Sequence, residues 1–257
     1  MDFNLIKTED EIKRLREGGK ILAKILRELS EKVVPGVSTL ELENYARELI
    51  SKFDARPAFL GYTPVGSRRA FPAALCVSVN SEIVHGIPNE KPKILREGDI
   101  VSIDCGIEYK KMFTDSALTV PCGQVDERGR LLLKATKEAL AAGIKVSKPG
   151  KKTGDIGAAI ERVAKKYGFQ IADDLGGHGV GRSPHEDPFI PNFGIPKSGV
   201  ALLPGLVIAI EPMLNEGTSK VKFLSDGYTF VTADNKRSAH FEHTILITKD
   251  GPEILTQ

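Results

Sequence analysis

The chain has no tryptophan, three cysteines and three methionines, and aromatic residues make up only 6% of its 257 residues. Any aromatic wall must therefore come from Phe and Tyr. Cys76, Cys105 and Cys122 are odd in number and form no C-x-x-C pair, so no disulfide framework is expected and reduced thiols in a cytosolic protein are the natural reading. No stretch approaches the roughly 18 uninterrupted apolar residues of a membrane span. The opening "MDFNLIKTEDEIKRLREGG" is polar and lacks an apolar core, so neither a signal peptide nor a membrane partner is expected. Neither charge sign dominates: 36 Lys and Arg face 34 Asp and Glu, a net +2. That balance argues against a nucleic-acid footprint. What remains is globular, 41% hydrophobic and 27% charged, and long enough to bury a substantial core.

An internal repeat organises the chain. "PGVSTLEL" (35–42) and "PGKKTGDI" (149–156) share P-G-x-x-T-x-[DE]-[LI], each between two helical segments. Thr39 or Thr153, or the acid two residues later, can serve the exposed amides of the helix start. Downstream, "GDIVSID" (98–104) and "GLVIAIE" (205–211) share G-x-[IV]-[VI]-x-I-[DE], a β-branched run ending in one acid, which reads as a buried strand. The two pairs recur in the same order at nearly the same offset, which predicts one domain, 1–257, duplicated internally as about 1–125 and 126–257. Residues 8–30 open with the capping-box pattern "TEDE" and place Ile12, Leu15, Leu22, Ile25 and Leu29 on one face. Residues 127–147 and 153–167 are expected to be helical, and "HTILIT" (243–248) is the last strand. Strands gathered between helices predict an α+β arrangement with helices on one side of a sheet. "KPGKKTG" fails the G-x-x-x-x-G-K-[ST] pattern of a phosphate loop.

The repeat makes four acids stand out. Asp104 and Glu211 are expected to end equivalent strands, and Asp115 and Glu242 to open the strands that follow. Four carboxylates gathered in a half-buried sheet cannot all ionise unaided, because like charges raise one another's pKa. Divalent cations about 3.5–4 Å apart and bridged by carboxylates relieve that conflict. "DLGGHGVGRSPHEDP" (174–188) adds His178, flanked by glycines that permit close backbone approach, and His185, preceded by proline. An acid at a strand end is ordinarily a turn residue, and a lone histidine is ordinarily structural. Asp104 and Glu211, however, follow strongly apolar runs where an unpaired charge is costly, and Pro212 biases Glu211 toward extended backbone.

"IDCGIEYKKMFTDSA", "GGHGVGRSPHEDP", "IAIEPM" and "FEHTILIT", with "VSVNSEIVHGIP" upstream, resemble the methionine aminopeptidases of the bacterial short form, type I, over essentially the whole chain. The resemblance implies the α+β pita-bread fold, two pseudo-symmetric halves around a central sheet with helices on the outer face. It also implies a dinuclear site for Mn, Fe or Co, with Zn an alternative. Asp104 would chelate one ion, Asp115 and Glu242 would bridge both, and His178 and Glu211 would complete the other. A water between the ions would attack the peptide carbonyl, Glu211 would shuttle its proton, and His185 would steady the tetrahedral intermediate. His85 would contact substrate near the scissile amide. Phe59, Tyr62, Phe71, Cys76 and Tyr228 would wall the methionine pocket. Some relatives hold a monovalent cation at the positions of Asn80 and Ser238. The implied partners are the N-termini of nascent peptides, with the ribosome nearby, for a monomeric cytoplasmic enzyme.

Cys105 should point away from Asp104, and His240 and His243 are read as structural. Two departures from the family concern the pocket: Tyr228 stands where many bacterial members have Trp, and Pro184 where an aromatic residue precedes His185. The segment "TPVGSRRAF" between Tyr62 and Cys76 is also longer. The alternatives are a prolidase or aminopeptidase P, which share fold and ligands but usually carry a separate N-terminal domain, and a non-catalytic relative that binds protein or RNA. The inactive relative is disfavoured because all five ligands are present.

Overall fold

The structure, a computed structural model, describes residues 5–64 and 66–257, so Val65 of the 63–71 segment lies outside the described residues. Thr8 opens α1 (Glu9–Ser30) with the expected box: its hydroxyl accepts the Glu11 N–H, and the Glu11 carboxylate accepts the Thr8 N–H. Ile12, Leu15, Leu22, Ile25 and Leu29 are all buried along it, as a 3.6-residue period requires. α2 (Thr39–Lys52), α3 (Glu127–Val146) and α4 (Thr153–Tyr167) complete the helices among the described residues. Glu41 and Asp155 accept the backbone N–H of Ser38 and Lys152, as the shared acid in the repeat suggested. Thr39 does not cap, because Ser38 occupies the cap position; the Thr39 hydroxyl donates to the Pro88 carbonyl and accepts the Lys93 N–H.

Two antiparallel sheets carry the helices. In the first, the strand Ile100–Tyr109 pairs with Met112–Pro121, Cys76–Val79 and the short Arg56–Pro57. In the second, the order is Gly251–Ile254, His243–Thr248, Val207–Ile210, Gly176–Gly179, Glu186–Pro191. α1 and α2 bury Leu22, Ile25, Leu42 and Leu49 against Val101, Ile103, Cys105 and Ile107. α3 and α4 bury Leu132, Leu140, Ile156 and Ile160 against Ile208, Ile210, Ile245 and Ile247. Each such side chain contributes roughly 1.5–3 kcal/mol when removed from water. Period-2 alternation then decides what faces the other way: Asp104, between Ile103 and Cys105, points away from the helices.

The first hairpin corrects one expectation. Asp104 lies within the strand Ile100–Tyr109, not at its end, and Asp115 is inside Met112–Pro121. The reason is the turn, where Lys110 and Lys111 adopt φ of 48° and 64°. That positive-φ pair matches the twist of a two-residue hairpin and lets pairing run past both acids, with Gly106 opposite Asp115 and Asp104 opposite Ala117. The two sheets are stitched together beside these acids. The Ser116 hydroxyl donates to the Glu242 carbonyl at 2.7 Å, and the Glu242 N–H donates to the Ala117 carbonyl at 2.8 Å. The Thr244 hydroxyl accepts the Asp115 N–H at 2.9 Å and donates to the Asp115 carbonyl at 2.7 Å.

Candidate metal centre and substrate cavity

Every residue singled out above as ligand, substrate contact or pocket wall opens onto one cavity of about 350 Å³. The five ligand candidates converge from both sheets: Asp104 and Asp115 from the hairpin, His178 from Gly176–Gly179, Glu211 from just beyond Val207–Ile210, and Glu242 from just before His243–Thr248. The glycines beside His178 explain why that strand can enter so closely packed a place. A Cβ on Gly177 would sit 2.2 Å from the Ala209 carbonyl oxygen, and one on Gly179 2.1 Å from that of Asp187.

The carboxylates are buried with little protein compensation. Asp104 Oδ1, Asp115 Oδ1 and Glu242 Oε1 have no hydrogen-bond partner among the described residues. Burial raises the Glu211 carboxyl to about 8. Burial, reinforced by the Glu211 charge, raises Asp115 to about 7. Asp104 and Glu242 are pushed well above the carboxylate range, first by burial and then by their acidic neighbours. Such groups call for positive charge. Oxygen and nitrogen atoms of Asp115, His178 and Glu242 come within 4.8 Å of one another, close enough to share an ion. The donor set therefore fits a divalent metal.

Histidine tautomers sharpen the picture. His178 Nδ1 lies 2.8 Å from the Gly179 carbonyl oxygen, which can only accept, so Nδ1 carries the proton and Nε2 offers its lone pair. That Nε2 is 3.6 Å from Glu211 Oε1. Burial, with His185 adding to it, lowers His178 to about 3 and keeps the ring neutral. His185 stacks edge-on against His178 with ring centres 4.5 Å apart, and its Nδ1 is 3.1 Å from the Tyr62 hydroxyl. Burial lowers His185 too, and takes His85 to about 4. His85 holds a left-handed φ of 59°, with the Thr229 hydroxyl donating to its carbonyl.

The apolar wall is real packing. Phe59, Phe71, Cys76 and Tyr228 form one buried cluster, with Phe71 and Tyr228 edge-to-face at 5.0 Å. Tyr228 donates its hydroxyl to the Arg69 carbonyl, tying the wall to the 63–71 segment. Burial raises the Cys76 thiol. Cys105 packs with the helices on the opposite face, as alternation required. Asn80 and Ser238 are neighbours, with the Ser238 N–H donating to the Asn80 carbonyl at 2.8 Å.

Sequence reasoning missed two aromatic residues of the cavity and the position of one histidine. Phe223 and Phe230 also line the cavity, and Phe230 packs edge-on against the His85 ring. They come from three-residue strands, too short for any periodic signal. His240, read as structural, is buried and places Nε2 3.3 Å from Glu211 Oε2. The chain leaves its strand after His240 and enters another sheet at His243, so alternation could not relate His240 to Glu242. His243 has its Nδ1 2.9 Å from the Thr256 hydroxyl.

A metal-fitting cluster of acids and one imidazole, set where two helix-covered sheets meet beside an aromatic cavity, is a candidate metalloenzyme centre. The chain matches metallopeptidase family M24 over residues 13–249 and belongs to it. Among curated relatives, it is 49% identical to the methionine aminopeptidase of Aquifex aeolicus, covering 97% of each chain, and 44% identical to methionine aminopeptidase 1 of Bacillus subtilis, covering 98% of this chain and 99% of that one. Among solved structures, the methionine aminopeptidase of Thermotoga maritima superposes with a TM-score of 0.93 at 46% identity, covering 98% of each. The prolidase of Pyrococcus horikoshii shares the fold at 23% identity and a TM-score of 0.76, and the chain spans 64% of its length. The fold is thus the α+β pita-bread fold, and the protein is a metal-dependent hydrolase.

Proposed function

We propose that the protein removes the N-terminal methionine from peptides whose second residue is small. The observation that carries this reading is the convergence of three buried carboxylates with unpaired oxygens, the Glu211 carboxylate and the His178 Nε2 lone pair on an aromatic cavity. Asp104, Asp115, His178, Glu211 and Glu242 would hold two divalent cations. Four carboxylates to one imidazole, without thiolate, suit Mn²⁺, Fe²⁺ or Co²⁺, with Zn²⁺ a further candidate. Two such cations supply an acidified water and neutralise the carboxylates. Glu211 takes the proton of the attacking water and returns it to the leaving amine. With the Tyr62 hydroxyl donating to Nδ1, His185 carries its proton on Nε2 and donates it to the substrate carbonyl as charge builds there. His85 contacts the substrate beside the scissile amide.

The methionine side chain would lie against Phe59, Tyr62, Phe71, Cys76 and Tyr228. Tyr228 gives a smaller wall than the Trp of many bacterial relatives, so discrimination against leucine should be modest, about 1–3 kcal/mol. The same reading takes nascent chains as substrates, hence work in the cytoplasm beside the ribosome, by a monomeric enzyme. No described helix is long and apolar enough to cross a membrane. It also keeps one domain, 1–257, built from duplicated halves, and a monovalent cation at Asn80 and Ser238.

The test is kcat/KM with Mn²⁺ or Co²⁺ on Met-Ala-Ser, Leu-Ala-Ser, Met-Lys-Ser and Ala-Pro-Ala. Met-Ala-Ser should be cleaved fastest, with Leu-Ala-Ser behind it. Preference for Ala-Pro-Ala would make the protein a prolidase-like peptidase, and Met-Lys-Ser outrunning Met-Ala-Ser would refute crowding at the second residue.

A further inference from the structure

His240 is 1% exposed and held rigidly from behind. The Thr119 hydroxyl donates to its carbonyl at 2.7 Å and accepts its N–H at 2.8 Å. Its ring faces Glu211, with Nε2 3.3 Å from Oε2, yet neither ring nitrogen makes an aligned hydrogen bond to any described residue. Two idle polar atoms in a sealed site are costly, and a leucine would fill the space without that cost. Glu211 is approached from two other directions as well. His178 Nε2 lies 3.6 Å from Oε1, and the buried Asn192 donates its Nδ2–H to the Glu211 carbonyl at 2.9 Å. The glutamate backbone is thus held by Asn192, whereas the His178 and His240 imidazoles lie beside its carboxylate.

We infer that His240 is a positioning residue for Glu211: the His240 Nε2–H holds Oε2 and thereby keeps Oε1 on the side of His178 Nε2, where it would serve as a ligand. A modest ring rotation aligns the donor with an oxygen already within reach. Only one ring nitrogen of a neutral imidazole can donate, so Nδ1 stays unused. This inference rests on the proposed role of Glu211 as a metal ligand, and goes beyond it by naming what sets the ligand's orientation.

The experiment uses metal-free full-length protein titrated with Co²⁺, followed by calorimetry and by the visible absorption of the bound ion. Wild type should bind two equivalents. His240→Leu should lose about 10–100-fold in affinity for one of them, the usual effect of removing a residue that orients a ligand, and shift the absorption bands. His240→Gln, which keeps a donor, should recover both the affinity and the spectrum. His240→Met stands in for the leucine variant if that chain does not fold, as judged by circular dichroism. Wild-type affinity and spectrum in His240→Leu or His240→Met would overturn the inference, as would a glutamine variant no better than the apolar ones. Failure of wild type to bind Co²⁺ would remove the metal-centre reading itself, and the positioning role with it.

Discussion

His178 and His185 touch each other, yet the proposed reading gives them different work. The Gly179 carbonyl fixes the proton of His178 on Nδ1 and leaves the Nε2 lone pair open, whereas His185 Nδ1 meets the Tyr62 hydroxyl, and the proposed mechanism has that hydroxyl donate so that Nε2 carries the proton. His178→Ala should therefore lose metal affinity and activity together. His185→Ala should keep its metal while kcat falls by about 10²–10³, the scale of a lost hydrogen bond to the transition state. Co²⁺ calorimetry beside steady-state kinetics separates the two; equal loss of metal in both variants would contradict the assignment.

Among the elements, the joint between the hairpin and the strand His243–Thr248 decides whether Asp115 and Glu242 meet. Thr244 is fully buried, and its hydroxyl satisfies both backbone groups of Asp115. Thr244→Val keeps the shape but strands a buried N–H and carbonyl, a cost of about 1–3 kcal/mol. Urea unfolding of metal-free protein should show that loss, and Thr244→Ser should recover most of it. A valine variant within roughly 0.5 kcal/mol of wild type would mean the joint is held otherwise. This pairing was half legible from residues alone. The acids could be matched through the repeat, but the two-lysine turn that carries the hairpin past Asp104 and Asp115 had no glycine or asparagine to announce it.

Across the whole molecule, the cost of the acidic cluster makes stability depend on pH and metal together. In the metal-free fold Asp115 keeps its proton up to about 7 and Glu211 up to about 8. Unfolded, both would release it near 4. Between those values the unfolded chain binds fewer protons, so these groups lower stability as pH rises from about 4 to 8. A divalent ion takes the place of the protons, so its stabilisation must grow over the same window. The rise in Tm on adding Mn²⁺ should be larger at pH 8 than at pH 6; a rise that shrinks with pH would contradict the proposed ligand set.

The sequence alone determined the helices and the apolar runs that become the strands Ile100–Tyr109, Val207–Ile210 and His243–Thr248, and it offered five ligand candidates, because capping boxes, apolar periodicity and acids beside apolar runs are local patterns. It also carried the resemblance to a peptidase family through motifs spread along the chain. Only the tertiary structure decided that Asp104 sits mid-strand, that Phe223 and Phe230 close the cavity, and that His240 reaches Glu211. Those facts depend on turn twist and on contacts between strands distant in sequence, such as Phe230 opposite Val84 and Met213 opposite His240. The reach of a side chain across a sheet is set by register, and register emerges only when both strands are in place.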